Sequence, residues 1–287
     1  MSDIVHNICN AVTQVVGSSA PLHAPEVSGN EWHYVKECLD TEWVSTAGSY
    51  VDRFESELAA FTGAAHCVAV SSGTAALHTC LIVAGVRRDH EVIIPSLTFV
   101  ATANAVFYQG AVPLFADCEM RTLGIDAEKL DAFLEVNAEI TKDGCRNRRT
   151  GRIIRALVCM HVFGHPCEVD ALKNLCERWR LTLIEDAAES LGSYYDGRHT
   201  GKDGLVSALS FNGNKIVTTG GGGAVLTNDP DLARRVKHLT TTAKKPHAWD
   251  YDHDAVGFNY RLPNINAAIG CAQLERIAGW LREKRLL

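Results

Sequence analysis

Lys215 stands in the run Ser210-Phe211-Asn212-Gly213-Asn214-Lys215, just ahead of Thr218-Thr219 and four glycines at 220–223. An amine in such a setting can capture a carbonyl compound as a Schiff base, because it attacks only when deprotonated and close packing by glycines and apolar residues favours that form. A single lysine is more often a solvated surface charge, so the reading depends on partners elsewhere in the chain. Ser71-Ser72-Gly73-Thr74-Ala75-Ala76-Leu77 supplies one. A turn that leaves a strand and opens a helix gathers backbone N–H groups, hydroxyls and the positive end of the helix dipole, which suits a phosphate monoester. The ordinary alternative is a Ser or Thr helix cap. Glu185-Asp186-Ala187-Ala188-Glu189-Ser190 supplies another, since carboxylates at the end of a parallel strand line the ligand-binding edge of open α/β sheets. There a carboxylate can hydrogen-bond a protonated pyridine nitrogen and keep the ring cationic, although the helix dipole alone also favours acids at that point.

Other groups carry less. Ser96-Leu97-Thr98-Phe99 offers an aromatic face for a bound ring, or simply a core phenylalanine. His161 and His165 are four apart, but Gly164 and Pro166 prevent a helix from aligning them and no third ligand is suggested, so no metal is expected. The glycines at 220–223 run into the strand-like Ala224-Val225-Leu226, whereas a dinucleotide fingerprint runs into a helix. Gly197 to Asp203 has the outline of a phosphate-binding loop, but Asp203 follows Gly201-Lys202 where Ser or Thr is required.

These groups need a scaffold, and the chain alternates short β-branched runs with amphipathic stretches, the pattern of an α/β sheet of parallel strands joined by helical crossovers. Strands are expected over 66–70, 91–94, 112–115, 153–159, 182–185, 206–211 and 223–227, with helices over 74–84, 98–108, 127–135 and 169–180. Ahead of the sheet, 30–39 and 51–61 read as helices flanking a loop at 43–48. The segment 137–150 reads as a polar solvent loop, and 264–287 as a helix. With 287 residues and 46% hydrophobic content the chain can bury a large core. A net charge of −6, with a basic cluster only at Arg146, Arg148, Arg149 and Arg152, disfavours a nucleic-acid partner. The ten cysteines are scattered without a C-x-x-C pair and read as buried thiols of a cytoplasmic protein. The N-terminus lacks the features of a signal peptide. The apolar stretch 65–86 is interrupted by His66, Ser71, Ser72, Gly73, Thr74 and His78, so strand, turn and helix fit better than a membrane span.

Taken together with Pro95-Ser96-Leu97-Thr98-Phe99-Val100-Ala101-Thr102-Ala103-Asn104 and Gly257-Phe258-Asn259-Tyr260-Arg261, the motifs around Gly73, Asp186 and Lys215 resemble one family, in order from about Leu22 to Glu283. It is the DegT/DnrJ/EryC1/StrS family of sugar aminotransferases. The resemblance implies pyridoxal 5'-phosphate as cofactor and an aspartate-aminotransferase-like α/β fold (fold type I). It implies an N-terminal segment at 1–30, a cofactor-binding large domain at 31–262 and, at 263–287, the start of a C-terminal small domain. Family members continue for about a hundred residues further, roughly one small domain, so the resemblance implies a truncated chain.

Residue by residue, the resemblance implies Lys215 as the Schiff-base and proton-shuttling residue and Asp186 as the partner of the pyridine nitrogen. Phe99 matches the stacking ring, while Gly73, Thr74 and Ser210 match phosphate contacts. Glu189 falls beside the ring, where the family has Gln, His or Glu. Asn259 and Arg261 match residues lent to a neighbouring subunit's phosphate, which implies a homodimer with shared sites. A narrower likeness lies in Pro95 to Phe99, Met160 to Pro166 and Leu239 to Lys244. These segments are similar to the branch that aminates C4 of UDP-4-keto-6-deoxy-N-acetylhexosamines on the way to legionaminic-type nonulosonic acids. That likeness implies a nucleotide-linked keto sugar as acceptor, L-glutamate as donor, and substrate contacts at Trp43, Ser45, Thr46, His161 and Lys244. Two alternatives stand beside it. A deoxysugar dehydratase of the same family has His where Lys215 stands, and a truncated chain can be a catalytically silent cofactor-binding subunit.

Overall fold

The computed structural model describes residues 2–17, 19, 23–247 and 249–286, so Leu22 and Leu287, which bound two of the expected segments, lie outside the described residues. In chain order the strands are β1 (His66–Val70), β2 (Glu91–Pro95), β3 (Val112–Ala116), β4 (Ala138–Thr141), β5 (Gly144–Asn147), β6 (Ile153–Met160), β7 (Thr182–Asp186), β8 (Tyr194–Tyr195), β9 (Arg198–His199), β10 (Val206–Ser210) and β11 (Gly223–Thr227). The helices are α1 (Ser2–Val16), α2 (Glu31–Asp40), α3 (Ser49–Thr62), α4 (Gly73–Val83), α5 (Val100–Tyr108), α6 (Ala127–Asn137), α7 (Val169–Trp179), α8 (Pro230–Thr240), α9 (Asn264–Leu274) and α10 (Ile277–Leu286). The sheet runs β1-β11-β10-β7-β6-β2-β3, with the β4–β5 hairpin added through β5 to β6. The pairs from β10 to β3 along this path are parallel, whereas β11 runs antiparallel to both its neighbours.

Helices cover both faces because successive strand residues point to opposite sides. Val68, Val70, Val206, Ala208 and Val225 join α4, α5 and α8 in one core. Cys67, Ala69, Leu209 and Leu226 turn the other way, toward α2, α3 and α9. Under that second face Phe54 of α3 meets Phe211 edge-on, with centroids 5.1 Å apart. Further along the same side, α6 and α7 pack on Ile93, Leu157 and Leu183. Ala267, Ala268 and Cys271 of α9 belong to the Phe54 core, so α9 shares its packing with α2 and α3.

All seven expected strands form within a residue or two of their expected bounds. The polar segment 137–150 departs from expectation, since most of it is the β4–β5 hairpin. Glu91, 2% exposed, explains why: its carboxylate accepts Asn147 Nδ2 and Thr150 Oγ1, both at 2.7 Å. A partner 56 positions away draws a polar run into pairing, which no local alternation reveals. The basic cluster is therefore not one solvated loop. Arg146 lies on β5 and Arg152 approaches Glu91 at 3.9 Å, while Arg148 and Arg149 are exposed.

Helices α1 and α8 were not expected. For α1 the signal is the recurrence of Ile4, Val5, Ile8, Val12 and Val15 along one helical face, and these side chains are exposed. For α8 it is Asp229 before Pro230: the Asp229 carboxylate accepts the Asp231 and Leu232 amides at 2.8 and 3.1 Å, with proline in the first turn. The expected last helix divides at Glu275 into α9 and α10.

Candidate active site

The parallel strands all end at one edge of the sheet, and the candidate residues gather there. Ser72 caps α4 with its side chain on Ala75 N at 3.1 Å and its carbonyl on Ala76 N at 3.0 Å. The Gly73 and Thr74 amides are left without intrahelical acceptors, at the positive end of the helix dipole. Glycine at 73 is required by crowding, since a Cβ there would lie 2.7 Å from Ser210 Cβ. A Cβ at Gly223 would come within 2.5 Å of the Ser72 backbone. The antiparallel course of β11 thus presses its first residue against the helix entrance.

One cavity of about 260 Å³ is lined by Gly73, Thr74, Phe99, Asp186, Glu189, Ser210 and Lys215. The structure therefore brings together seven of the residues singled out from the sequence. Lys215 also borders a second cavity of about 460 Å³ that His23, Phe163, Leu191 and Ile216 help to line. Its side chain is only 15% exposed, and the amine sits 3.1 Å from Glu189 Oε1. The lysine is thus held by an ion pair in addition to the glycines and apolar residues expected beside it.

Asp186 and Glu185 face opposite ways, as neighbours on a strand must. Asp186 Oδ2 accepts the Thr102 hydroxyl at 2.7 Å and Oδ1 accepts the Ala188 amide at 3.2 Å. Burial pushes the Asp186 carboxyl above its ordinary value, and the Thr102 hydrogen bond works against that shift. Glu185 serves the scaffold. Its oxygens accept the Gly201 amide at 2.8 Å, those of Asp203 at 2.8 Å and Gly204 at 2.6 Å, and His161 Nε2 at 3.0 Å.

That contact removes His161 from the expected substrate contacts. It is fully buried, its Nε2–H donates to Glu185, and its Nδ1 accepts the Cys167 amide at 3.3 Å. The donor atoms of Cys159, His161 and Cys167 lie within 4.8 Å of one another, but both ring nitrogens are already committed. His165 is exposed outside this group. All ten cysteines are free and eight are buried.

Trp43, Ser45, Thr46, Lys244, Asn259 and Arg261 do not line the Lys215 cavity. Trp43 and Ser45 carbonyls are held by Asn264, through Nδ2 at 2.7 Å and the backbone amide at 2.6 Å. Thr46 and Arg261 share a separate small cavity with Lys237. Lys244 Nζ lies 3.8 Å from the centroid of the Tyr251 ring. Arg261 Nε donates to Asn259 Oδ1 at 3.4 Å.

The sequence reading missed Asn212, Asn214 and Met160 in the cavity wall and Thr102 behind Asp186. The two asparagines, Met160 and Thr102 all lay within motifs already quoted, but the role of Thr102 was not readable there because its partner is 84 positions away.

The residues present fit a phosphorylated aromatic aldehyde: an amine, a buried carboxylate, an anion-binding helix end and an aromatic ring 65% exposed border one cavity. Together with the mixed, mostly parallel sheet they define an enzyme of the fold-type-I pyridoxal-phosphate class. The chain belongs to the DegT/DnrJ/EryC1/StrS aminotransferase family, whose model matches residues 25–287. The aminotransferases of this family depend on pyridoxal phosphate. The chain is 41% identical over 271 residues to GDP-perosamine synthase of Caulobacter vibrioides, covering 91% of this chain and 68% of that protein. It is 38% identical over 268 residues to GDP-perosamine synthase of Vibrio cholerae, covering 92% and 68%. The structure of Helicobacter pylori PseC, an aminotransferase of pseudaminic acid biosynthesis, superposes with a TM-score of 0.80 at 28% identity, covering 92% of this chain and 68% of that one. Among the described residues no helix is long and apolar enough to cross a membrane.

Proposed function

We propose that this sugar aminotransferase transfers the amino group of L-glutamate to a UDP-4-keto-6-deoxy-N-acetylhexosamine, for amino-sugar or nonulosonic acid synthesis in the cytoplasm. The observation that carries the chemistry is the single cavity bordered by Lys215, Asp186 and the start of α4. When bound there, pyridoxal phosphate supplies an electron-withdrawing ring that eases breaking of a C–H bond beside nitrogen. The residues do the rest. The Gly73 and Thr74 amides with Ser210 would hold the phosphate, Phe99 would offer its face to the ring, and Asp186 would favour the protonated ring nitrogen. Lys215 presents its amine to the cavity and takes up or returns a proton at Nζ, while Glu189 fixes the direction of that amine.

The choice of a UDP sugar rests on the segments Pro95 to Phe99, Met160 to Pro166 and Leu239 to Lys244, whereas relatives named GDP-perosamine synthase favour a GDP sugar. Asn259 and Arg261 stand outside the cavity of their own chain, which supports a homodimer in which each copy completes the other's phosphate site. We assign residues 31–262 to the cofactor-binding unit and Trp43, Ser45, Thr46 and Lys244 to the sugar-nucleotide side. The test is glutamate-dependent amination by the purified chain with pyridoxal phosphate, offering UDP- and GDP-linked 4-keto sugars in parallel. Turnover with the GDP sugar alone would overturn the UDP assignment, and turnover with neither by a folded, cofactor-loaded sample would overturn the enzymatic reading of this chain.

A further inference from the structure

The hydroxyls behind Asp186 form a directed chain. Thr98 lies two residues ahead of α5, outside the helix, and Thr102 lies in the first turn; the extended Phe99 between them brings the Thr98 side chain back over that turn. Their Oγ1 atoms are 2.8 Å apart, and Thr102 Oγ1 is 2.7 Å from Asp186 Oδ2. Thr102 is 1% exposed and Asp186 2%. Little of either side chain therefore meets solvent.

Each threonine hydroxyl has one proton to give. An ionised carboxylate only accepts, so with Asp186 charged the Thr102 proton must point at Oδ2 and the Thr98 proton at Thr102. With Asp186 protonated, its own O–H can donate to Thr102. Both hydroxyls then turn round, and the Thr98 proton, on a half-buried residue, is left with Met160 Sδ at 3.0 Å, the Phe99 carbonyl at 3.3 Å or solvent, none of them a charged acceptor. A thioether sulfur and a long carbonyl contact are poorer acceptors than a carboxylate. The chain is thus matched to the charged form of Asp186.

We propose that Thr102, oriented by Thr98, is a positioning residue that keeps Asp186 ionised and aimed at the cofactor ring. The proposal rests on the reading that Asp186 partners the ring nitrogen. Burial opposes the charge, and among the described residues the only other donor hydrogen-bonded to the carboxylate is the Ala188 amide. Among the described residues, Lys215 after β10, His161 after β6 and Cys80 on α4 also act on Asp186 electrostatically, and the Thr102 hydroxyl is hydrogen-bonded to none of them.

The experiment follows the Asp186 side-chain carboxyl by carbon NMR across pH in protein without added cofactor, the signal being assigned by its loss in Asp186→Asn. Thr102→Val removes the donor and should raise the titration midpoint by about one pH unit or more. Thr102→Ser should restore it, and Thr98→Val should shift it less, in the same direction. In parallel, Thr102→Val should weaken pyridoxal phosphate binding about tenfold. An unmoved midpoint in Thr102→Val, or an equal shift in Thr102→Ser, would overturn the relay, because the first shows no coupling and the second shows packing at work. If Thr102→Val does not fold, an unmoved midpoint in Thr98→Val overturns it instead. Should the unmodified protein fail to bind pyridoxal phosphate while the midpoint still shifts, the functional reading falls and the relay stands.

Discussion

Glu189 ties Lys215 to Phe163: its Oε1 lies 3.1 Å from Lys215 Nζ while its Oε2 accepts the Phe163 amide at 3.0 Å. Phe163 is 73% exposed and held at φ 53° and ψ 23°, a left-handed conformation that costs a non-glycine residue about 1–2 kcal/mol. Glu189→Ala should therefore loosen both the amine and the aromatic loop. Hydrogen exchange at the Phe163 amide should accelerate in the variant. Unchanged protection would show that the Ser193–Gly164 contact at 2.6 Å holds the loop by itself.

For Lys215 the expected outcome is chemical. Borohydride treatment with pyridoxal phosphate should tag the peptide containing Lys215, and Lys215→Ala should abolish both the tag and amino transfer while retaining phosphate-anchored cofactor. A tag of equal yield on another lysine would move the role elsewhere.

At the helix entrance, Gly73→Ala should weaken pyridoxal phosphate binding at least tenfold and lower fold stability by about 1–3 kcal/mol, because the added methyl meets the Ser210 side chain at 2.7 Å. Removing that obstacle in the Gly73→Ala, Ser210→Gly double variant should recover more affinity than the two single effects allow. Strict additivity in this cycle would show that the crowding is absent in solution.

Asp186→Asn should separate stability from function. A folded-state pKa raised above the unfolded value contributes stability that is fully present below about pH 3.9 and is lost as pH rises through the folded value. Above that value the cofactor-free protein carries the cost of a buried charge that asparagine removes. The variant should consequently melt higher than the parent near neutral pH, with the gap closing toward about pH 4, while binding pyridoxal phosphate poorly. A gap that stays constant with pH would contradict the sign of the shift.

Much of this molecule was legible in its sequence because its strands are buried, β-branched and bounded by turns. Such runs as Ile153 to Cys159 and Val206 to Phe211 announce themselves within a few residues. The cavity residues were legible for a related reason, since each lies at the end of a strand or within a few residues after it, and so at the ligand-binding edge. What escaped depended on partners distant in sequence. The hairpin over 138–147 is stabilised through Glu91, Thr102 is defined by Asp186, and His161 is claimed by Glu185. Tertiary contacts of that kind leave no periodic trace.

The segment that carries Lys215 is closed at its root, where Phe211 N donates to the Gly222 carbonyl at 2.9 Å and Ser210 faces Gly223 across the antiparallel pair. Placing the lysine therefore requires the closure of only one short hairpin loop. Bringing Thr102 to Asp186 closes a loop of 84 residues and costs about 1–2 kcal/mol more in chain entropy. The nucleophile's address is written locally, in two adjoining strands, so insertions in distant parts of the chain can leave it in place while the carboxylate's support must be reassembled across the whole fold.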